Sequence, residues 1–100
     1  MIRMQGLTHF TIPVTDLKRA KAFYVDMLGF ELVRQNPHMV FCRCDRDLFV
    51  LTHSKKPVDP NPGDEHDIHT AFYVDAAEYD RALKYLAEKG VRVFKTEERH

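Results

Sequence analysis

No apolar run in the sequence approaches the roughly 18 residues that a membrane-spanning helix needs, so no span is expected. An excess of charge of one sign is also missing: 15 basic residues balance 15 acidic ones. A nucleic-acid surface needs a basic stripe to neutralise phosphates, and its absence argues against a nucleic-acid partner. The first ten residues, MIRMQGLTHF, lack the apolar core of a signal peptide, so a cytoplasmic location is expected. Cysteine is scarce, with Cys42 and Cys44 two residues apart in VFCRCD. That spacing makes a disulfide awkward, and no other cysteine is present to pair with either. On a strand both share a face with Val40, which reads as reduced thiols packed in a core. A zinc site from Cys42, Cys44, His38 and His53 is the alternative, but its spacing matches no common ligand pattern.

What remains is the composition of an ordinary globular domain, with 44% hydrophobic and 30% charged residues in a chain of 100. Its clearest internal feature is a repeat. THFTIPVTDLKRAKAFYVDMLGF aligns with IHTAFYVDAAEYDRALKYLAEKGV. His9 falls on His69, Val14 on Val74, Ala22 on Ala82 and Phe23 on Leu83, each offset by 60. Gly29 falls on Gly90, offset by 61, so the second helix carries one inserted residue.

Local chemistry supports both copies. Thr8, Phe10, Ile12 and Val14 alternate with Leu7, His9, Thr11 and Pro13, the period of a strand. Asp16 can cap a helix in which Leu17, Ala20, Phe23, Tyr24, Met27 and Leu28 recur at helical spacing. Gly29 suits the left-handed position that closes it. In the second copy Asp75 and Glu78 form a capping-box-like pair. Tyr79, Ala82, Leu83 and Leu86 make the buried stripe there, and Gly90 closes the helix. Each helix should cover the sheet face that bears Phe10, or Phe72 and Val74. The histidines then point to the other face.

After the first helix come strand candidates FELVRQ (30–35), HMVFCRCD (38–45) and DLFVLTH (47–53). The first module therefore reads β-α-β-β-β over 1–53. Residues 54–66 carry three prolines and a glycine and read as a linker. The second module, 67–100, stops after its βαβ part. The expected class is α+β: tandem βαβββ modules in a curled mixed sheet with helices on the convex face, the second module truncated. The missing strands are expected either in a continuation of the chain or replaced by a partner that covers the raw edge.

Through LTHFTIPVTDLKRAKAFYVDMLGFELV and DIHTAFYVDAAEYDRALKYLAEKGVRV, the chain resembles the vicinal oxygen chelate superfamily. That group includes glyoxalase I, bleomycin-resistance proteins, fosfomycin-resistance thiol transferases and extradiol dioxygenases. The resemblance implies that two modules pair and that their concave face encloses a divalent metal. It places one ligand on the first strand of each module, where His9 and His69 stand. It implies a third, carboxylate ligand from a strand beyond residue 100. Val50 or Leu51 stands where a four-ligand glyoxalase I site would have glutamate, which argues against that pattern. Two histidines and a carboxylate suit Fe or Mn, with Zn or Ni also able to bind, and leave open positions for substrate oxygens. The shared chemistry would be stabilisation of an oxyanion by direct chelation.

Thr11 and Tyr73 share their histidines' faces by parity and are expected to line the pocket. His53 shares its parity with Phe49 and Leu51 and is read as strand-end surface. His66 is read as solvated, and Glu97, Glu98 and His100 as a polar terminal run. No residue carries a clear general-base signature. The leading expectation is a small divalent-metal-dependent enzyme acting on an oxygen-chelating small molecule, by dioxygenation, lyase or isomerase chemistry, or thiol transfer. The alternative is a metal-free protein that sequesters a small molecule, as bleomycin-resistance proteins do. A homodimer is expected from the resemblance.

Overall fold

The computed structural model describes residues 1–57, 69–93 and 96. Its elements are β1 (His9–Val14), α1 (Leu17–Lys21) continued by π-helical turns (Ala22–Met27), β2 (Glu31–Asn36), β3 (Met39–Cys44), β4 (Asp47–His53) and α2 (Ala76–Glu88). The strands form one mixed sheet in the order β1-β4-β3-β2. β1 runs parallel to β4, and the other two pairs are antiparallel. Both hairpins are tight, as the short spacings between the strand candidates require. Asn36 accepts from the backbone N–H groups of His38 and Met39, closing the β2–β3 turn.

The first helix starts as its sequence dictates. The Asp16 side chain accepts from the Arg19 N–H at 3.0 Å, satisfying one donor that the first turn leaves free. Its second half departs from a regular α-helix. The Leu28 N–H bonds the Phe23 carbonyl five residues back, at 2.9 Å. A wider turn adds about one residue per turn and shifts the inward stripe. Leu17, Ala20, Tyr24 and Val25 therefore pack on the core, whereas Leu28, expected inside, is exposed. Gly29, at φ 87°, reverses the chain in the left-handed region. The reversal delivers Phe30 to the core.

That core lies between the helix and one face of the sheet. Val40, Cys42, Phe49 and Leu51 are its fully enclosed members. Phe10, Ile12 and Val14 of β1 pack against them, in the period-two pattern expected of the strand. Phe49 is at the centre. Its ring lies 5.6 Å from Phe10, 5.6 Å from Tyr24, 5.0 Å from Phe30 and 5.5 Å from Phe72, centroid to centroid. Burial raises the pKa of the Cys42 thiol, and both cysteines are free.

The alternative zinc site is ruled out by register. Cys44 pairs with Asp47 at one end of the β3–β4 hairpin. His38 and His53 meet at the other end, where the His53 N–H donates to the His38 carbonyl. Six residues of strand separate the two ends, roughly 20 Å at strand rise.

The second copy folds differently from the first. α2 forms where expected: the Asp75 side chain accepts from the Glu78 N–H at 2.8 Å, and Gly90 closes it at φ 74°. The Glu78 carboxylate does not complete a capping box and instead pairs with Arg81 at 3.2 Å. Residues 69–75 and 91–93, expected as strands, carry no ladder. A strand needs a partner to satisfy its backbone, and here Phe72 settles instead on the rings of Phe30 and Phe49. The Tyr85 hydroxyl ties α2 to the first module by donating to the Met27 carbonyl at 2.7 Å. Ala82, Leu83 and Leu86 are half-buried and Tyr79 is exposed, so the expected stripe is only partly covered. Most of the linker, His66, Glu97, Glu98 and His100 lie outside the described residues.

Phe49→Ala removes the ring that four others share. It is expected to lower unfolding free energy by about 3–5 kcal/mol in urea titrations, against less than about 0.5 kcal/mol for Thr11→Ala on the opposite face. A cost below about 1 kcal/mol for Phe49→Ala would show that the cluster is not the core.

Candidate functional site on the open face of the sheet

Strand alternation sends every second side chain away from the helix-covered core. Three cross-strand rows result. His9, Leu48, Arg43 and Glu31 form the first. Thr11, Val50, Phe41 and Arg34 form the second, and Pro13, Thr52, Met39 and Asn36 the third. His9 and Thr11 are exposed here, as their parity predicts. His53 has the parity of Phe49 and Leu51 and ends β4 as an exposed residue.

The floor of this face is apolar, with Val50 only 4% exposed between Thr11 and Phe41. The first row carries an ion pair held at two points. The Arg43 guanidinium donates to both Glu31 oxygens, at 2.9 and 3.1 Å. These hydrogen bonds, and then the charge of Arg43, hold the Glu31 carboxyl below its ordinary range. Glu31 raises Arg43 in turn.

The second row ends in a feature that alternation does not forecast. Leu32 pairs with Cys42 but Arg34 pairs with Phe41, so the register slips by one residue at Val33. Without the slip, Leu32 and Arg34 would share a face. With it, Leu32 joins the core while Arg34 turns to the open side, as bulges do. There its guanidinium lies over the Phe41 ring, 4.3 Å from the centroid.

His69 and Tyr73 lie outside the sheet, in the irregular segment that precedes α2. Both are exposed, Tyr73 at 92%. Among the described residues, no three His, Cys, Asp or Glu side chains are grouped to hold a metal. His9's row neighbour is Leu48, and the row's one carboxylate, Glu31, lies three strands away on β2 and is engaged by Arg43. The described donors therefore do not by themselves fit a divalent cation, which takes at least three protein ligands in the common catalytic sites.

A second hollow lies on the helix side. It is a cleft of about 590 Å³ between the end of the π-helical turns, Phe72, Val74 and α2, with Phe30, Ala82 and Leu86 in its lining. Among the described residues, no histidine or thiol lines it. His9, Thr11, Arg34 and the Glu31–Arg43 pair are on the other face of the sheet.

A family model described as the Glyoxalase/Bleomycin resistance protein/Dioxygenase superfamily matches residues 6–100. Among solved structures, a lactoylglutathione lyase from Agrobacterium tumefaciens is 28% identical, with a TM-score of 0.72 over 91% of this chain and 74% of its own. A fosfomycin resistance protein from Listeria monocytogenes is 19% identical, with a TM-score of 0.79 over 98% of this chain and 76% of its own. A glyoxalase/dioxygenase from Nostoc punctiforme is 21% identical, with a TM-score of 0.77 over 92% and 75%. The last two are likenesses of fold.

The Glu31–Arg43 pair sets an acid dependence. A carboxyl whose pKa is lowered by folding contributes stability above its unfolded pKa, and that stability is lost as pH falls through the folded value. Urea midpoints of the parent and of Glu31→Gln are therefore expected to differ at pH 7 and to converge below the carboxylate range. The pair is exposed, so the gap should be small and should narrow in high salt. Equal gaps at pH 7 and pH 2.5 would refute this assignment.

Proposed function

Because the chain belongs to the Glyoxalase/Bleomycin resistance protein/Dioxygenase superfamily, we propose that the open face of its sheet is where a small molecule is bound and acted on. The observation that carries this is the division of β1: Phe10, Ile12 and Val14 are committed to the core, and His9 and Thr11 are presented on the other side. An apolar floor edged by an imidazole, hydroxyls and a guanidinium suits an oxygen-rich small molecule.

Within that reading His9 and His69 are the imidazole donors to a divalent cation, Fe or Mn first, with Zn or Ni also accepted. The remaining donor, a carboxylate, comes from outside the described residues. Thr11 and Tyr73 contact the substrate. Dioxygenation, lyase or isomerase chemistry and thiol transfer remain open to it, since one fold serves several reactions. The protein acts as a homodimer in the cytoplasm, in two modules joined by residues 54–66. A metal-free sequestering role is the second reading. It is favoured by the apolar floor of Val50, Leu48 and Phe41.

Calorimetry with Mn(II), Fe(II), Ni(II) and Zn(II) separates the two. The metal reading expects one cation per chain, with His9→Ala and His69→Ala each weakening it by about tenfold or more. No binding by the parent, or unchanged binding by both variants, would leave sequestration as the function.

A further inference from the structure

Arg34 is placed with more care than a surface arginine requires. It sits on an edge strand, where a side chain of unbulged β2 would have pointed to the helix side with Leu32. The register slip at Val33 turns it onto the same face as His9. The guanidinium carbon then lies over the Phe41 ring, 4.3 Å from its centroid.

This arrangement has a chemical consequence. A cation over a ring face uses that contact without spending its N–H donors, which stay available to an acceptor. Those donors match an oxyanion in a two-point geometry, which a lysine cannot reproduce. The charges on the open face make the same distinction. Arg43 and Glu31 neutralise each other through two hydrogen bonds. Arg34 has no carboxylate partner among the described residues, so one positive charge is left over an apolar floor.

We propose that Arg34 receives an anionic group, carboxylate or phosphoryl, of the small molecule bound on this face. The proposal rests on the reading of that face as the ligand surface, and it names the substrate class. β1 and β3 are separated by β4, so His9 and Phe41 lie two strand spacings apart, roughly 10 Å. Phe41 is also displaced along the strand by two residues from Arg43, which shares the row of His9. The ligand is therefore elongated. One end lies near His9, and the anionic end reaches the guanidinium over Phe41.

The test has a metal-free arm and a metal-loaded arm. In the first, the chain without metal is titrated with inorganic phosphate and with acetate at constant ionic strength, and arginine Nε–H resonances are followed by NMR. The Arg34 signal, assigned by its loss in Arg34→Lys, is expected to shift saturably while those of Arg19 and Arg81 stay put. The stronger responder of the two anions identifies the group. An Arg34 signal that moves no more than the others overturns the proposal.

In the second arm, Mn(II)-loaded protein is titrated with 2-oxoglutarate, 2-oxoadipate and 2-oxosuberate. Each pairs a chelating 2-oxo acid with a distal carboxylate. Affinity is expected to rise with length, and Arg34→Gln to remove about tenfold of it for the longest acid. Phe41→Leu, which keeps the charge and removes the ring, should lose several-fold. Uncharged-tailed 2-oxooctanoate should bind parent and Arg34→Gln alike. If the diacid and 2-oxooctanoate bind the parent equally, the proposal fails while the metal reading stands. If Mn(II) does not bind, the metal reading fails, and the metal-free arm decides the role of Arg34 alone.

Discussion

The ring of Phe49 is the contact on which the rest of the structure depends. It sits in the strand that lies between β1 and β3, and no part of it reaches solvent. Phe10 meets it from β1, Tyr24 from the helix, Phe30 from the turn after Gly29, and Phe72 from the second copy. Aromatic pairs contribute about 0.5–1.5 kcal/mol each beyond the area they bury. The larger effect is one of orientation. With β1 and β4 in parallel register, seating Phe10 on Phe49 determines which side of β1 faces the core. A one-residue slip would send His9 and Thr11 inward and expose Phe10 and Ile12. The candidate site is thus positioned by residues that never touch it.

The open face is shaped by two departures from regular geometry. The slip at Val33 lets one short strand place Leu32 in the core and Arg34 on the opposite side. The wide turns of the first helix bring Val25 rather than Leu28 inward and precede the Gly29 reversal that inserts Phe30. Both changes are local, and both serve the packing around Phe49 before they serve anything on the open face. Arg34 reaches the open side because Leu32 is held in the core next to Cys42.

Much of the first module is legible in the residues themselves. The strand candidates at 30–35 and 38–45 differ from β2 and β3 by one residue at each end, and 47–53 coincides with β4. Asp16 caps, Gly29 reverses, and His9 faces away from the helix, because each depends on nearest-neighbour chemistry or on a period of two. The bulge and the widened helix are not legible in the same way. FELVRQ loses its alternation at Leu32-Val33, but only the pairing of Leu32 with Cys42 and Arg34 with Phe41 shows that the cause is an extra residue. AKAFYVDMLGF supports an ordinary helix, and it is the fit of Tyr24 and Phe30 around Phe49 that accompanies the wider turns. The roles proposed for His9, His69, Thr11 and Tyr73 rest on a repeat, strand parity and a resemblance, which locate positions without assembling them.

The two copies share a pattern but not a fold among the described residues, and the reason is what each helix has to cover. The first helix lies over Val40, Cys42, Phe49 and Leu51, contributed by strands of its own module. α2 carries an equivalent stripe in Ala82, Leu83 and Leu86 but, among the described residues, meets no ladder from its own copy. It leans on the first module through the Tyr85 hydroxyl, and Phe72 just before it joins the first module's aromatic cluster. His69, three residues before Phe72, follows that placement rather than the one its alignment with His9 implies. Equivalent positions in a repeat become equivalent positions in space only when the strands that orient them are paired. In β1 the ladder with β4 does this, whereas residues 69–75 have no ladder among the described residues. A strand paired along 69–75 would therefore do more for the site than any change to the histidines themselves, since it would impose on His69 the same alternation that presents His9.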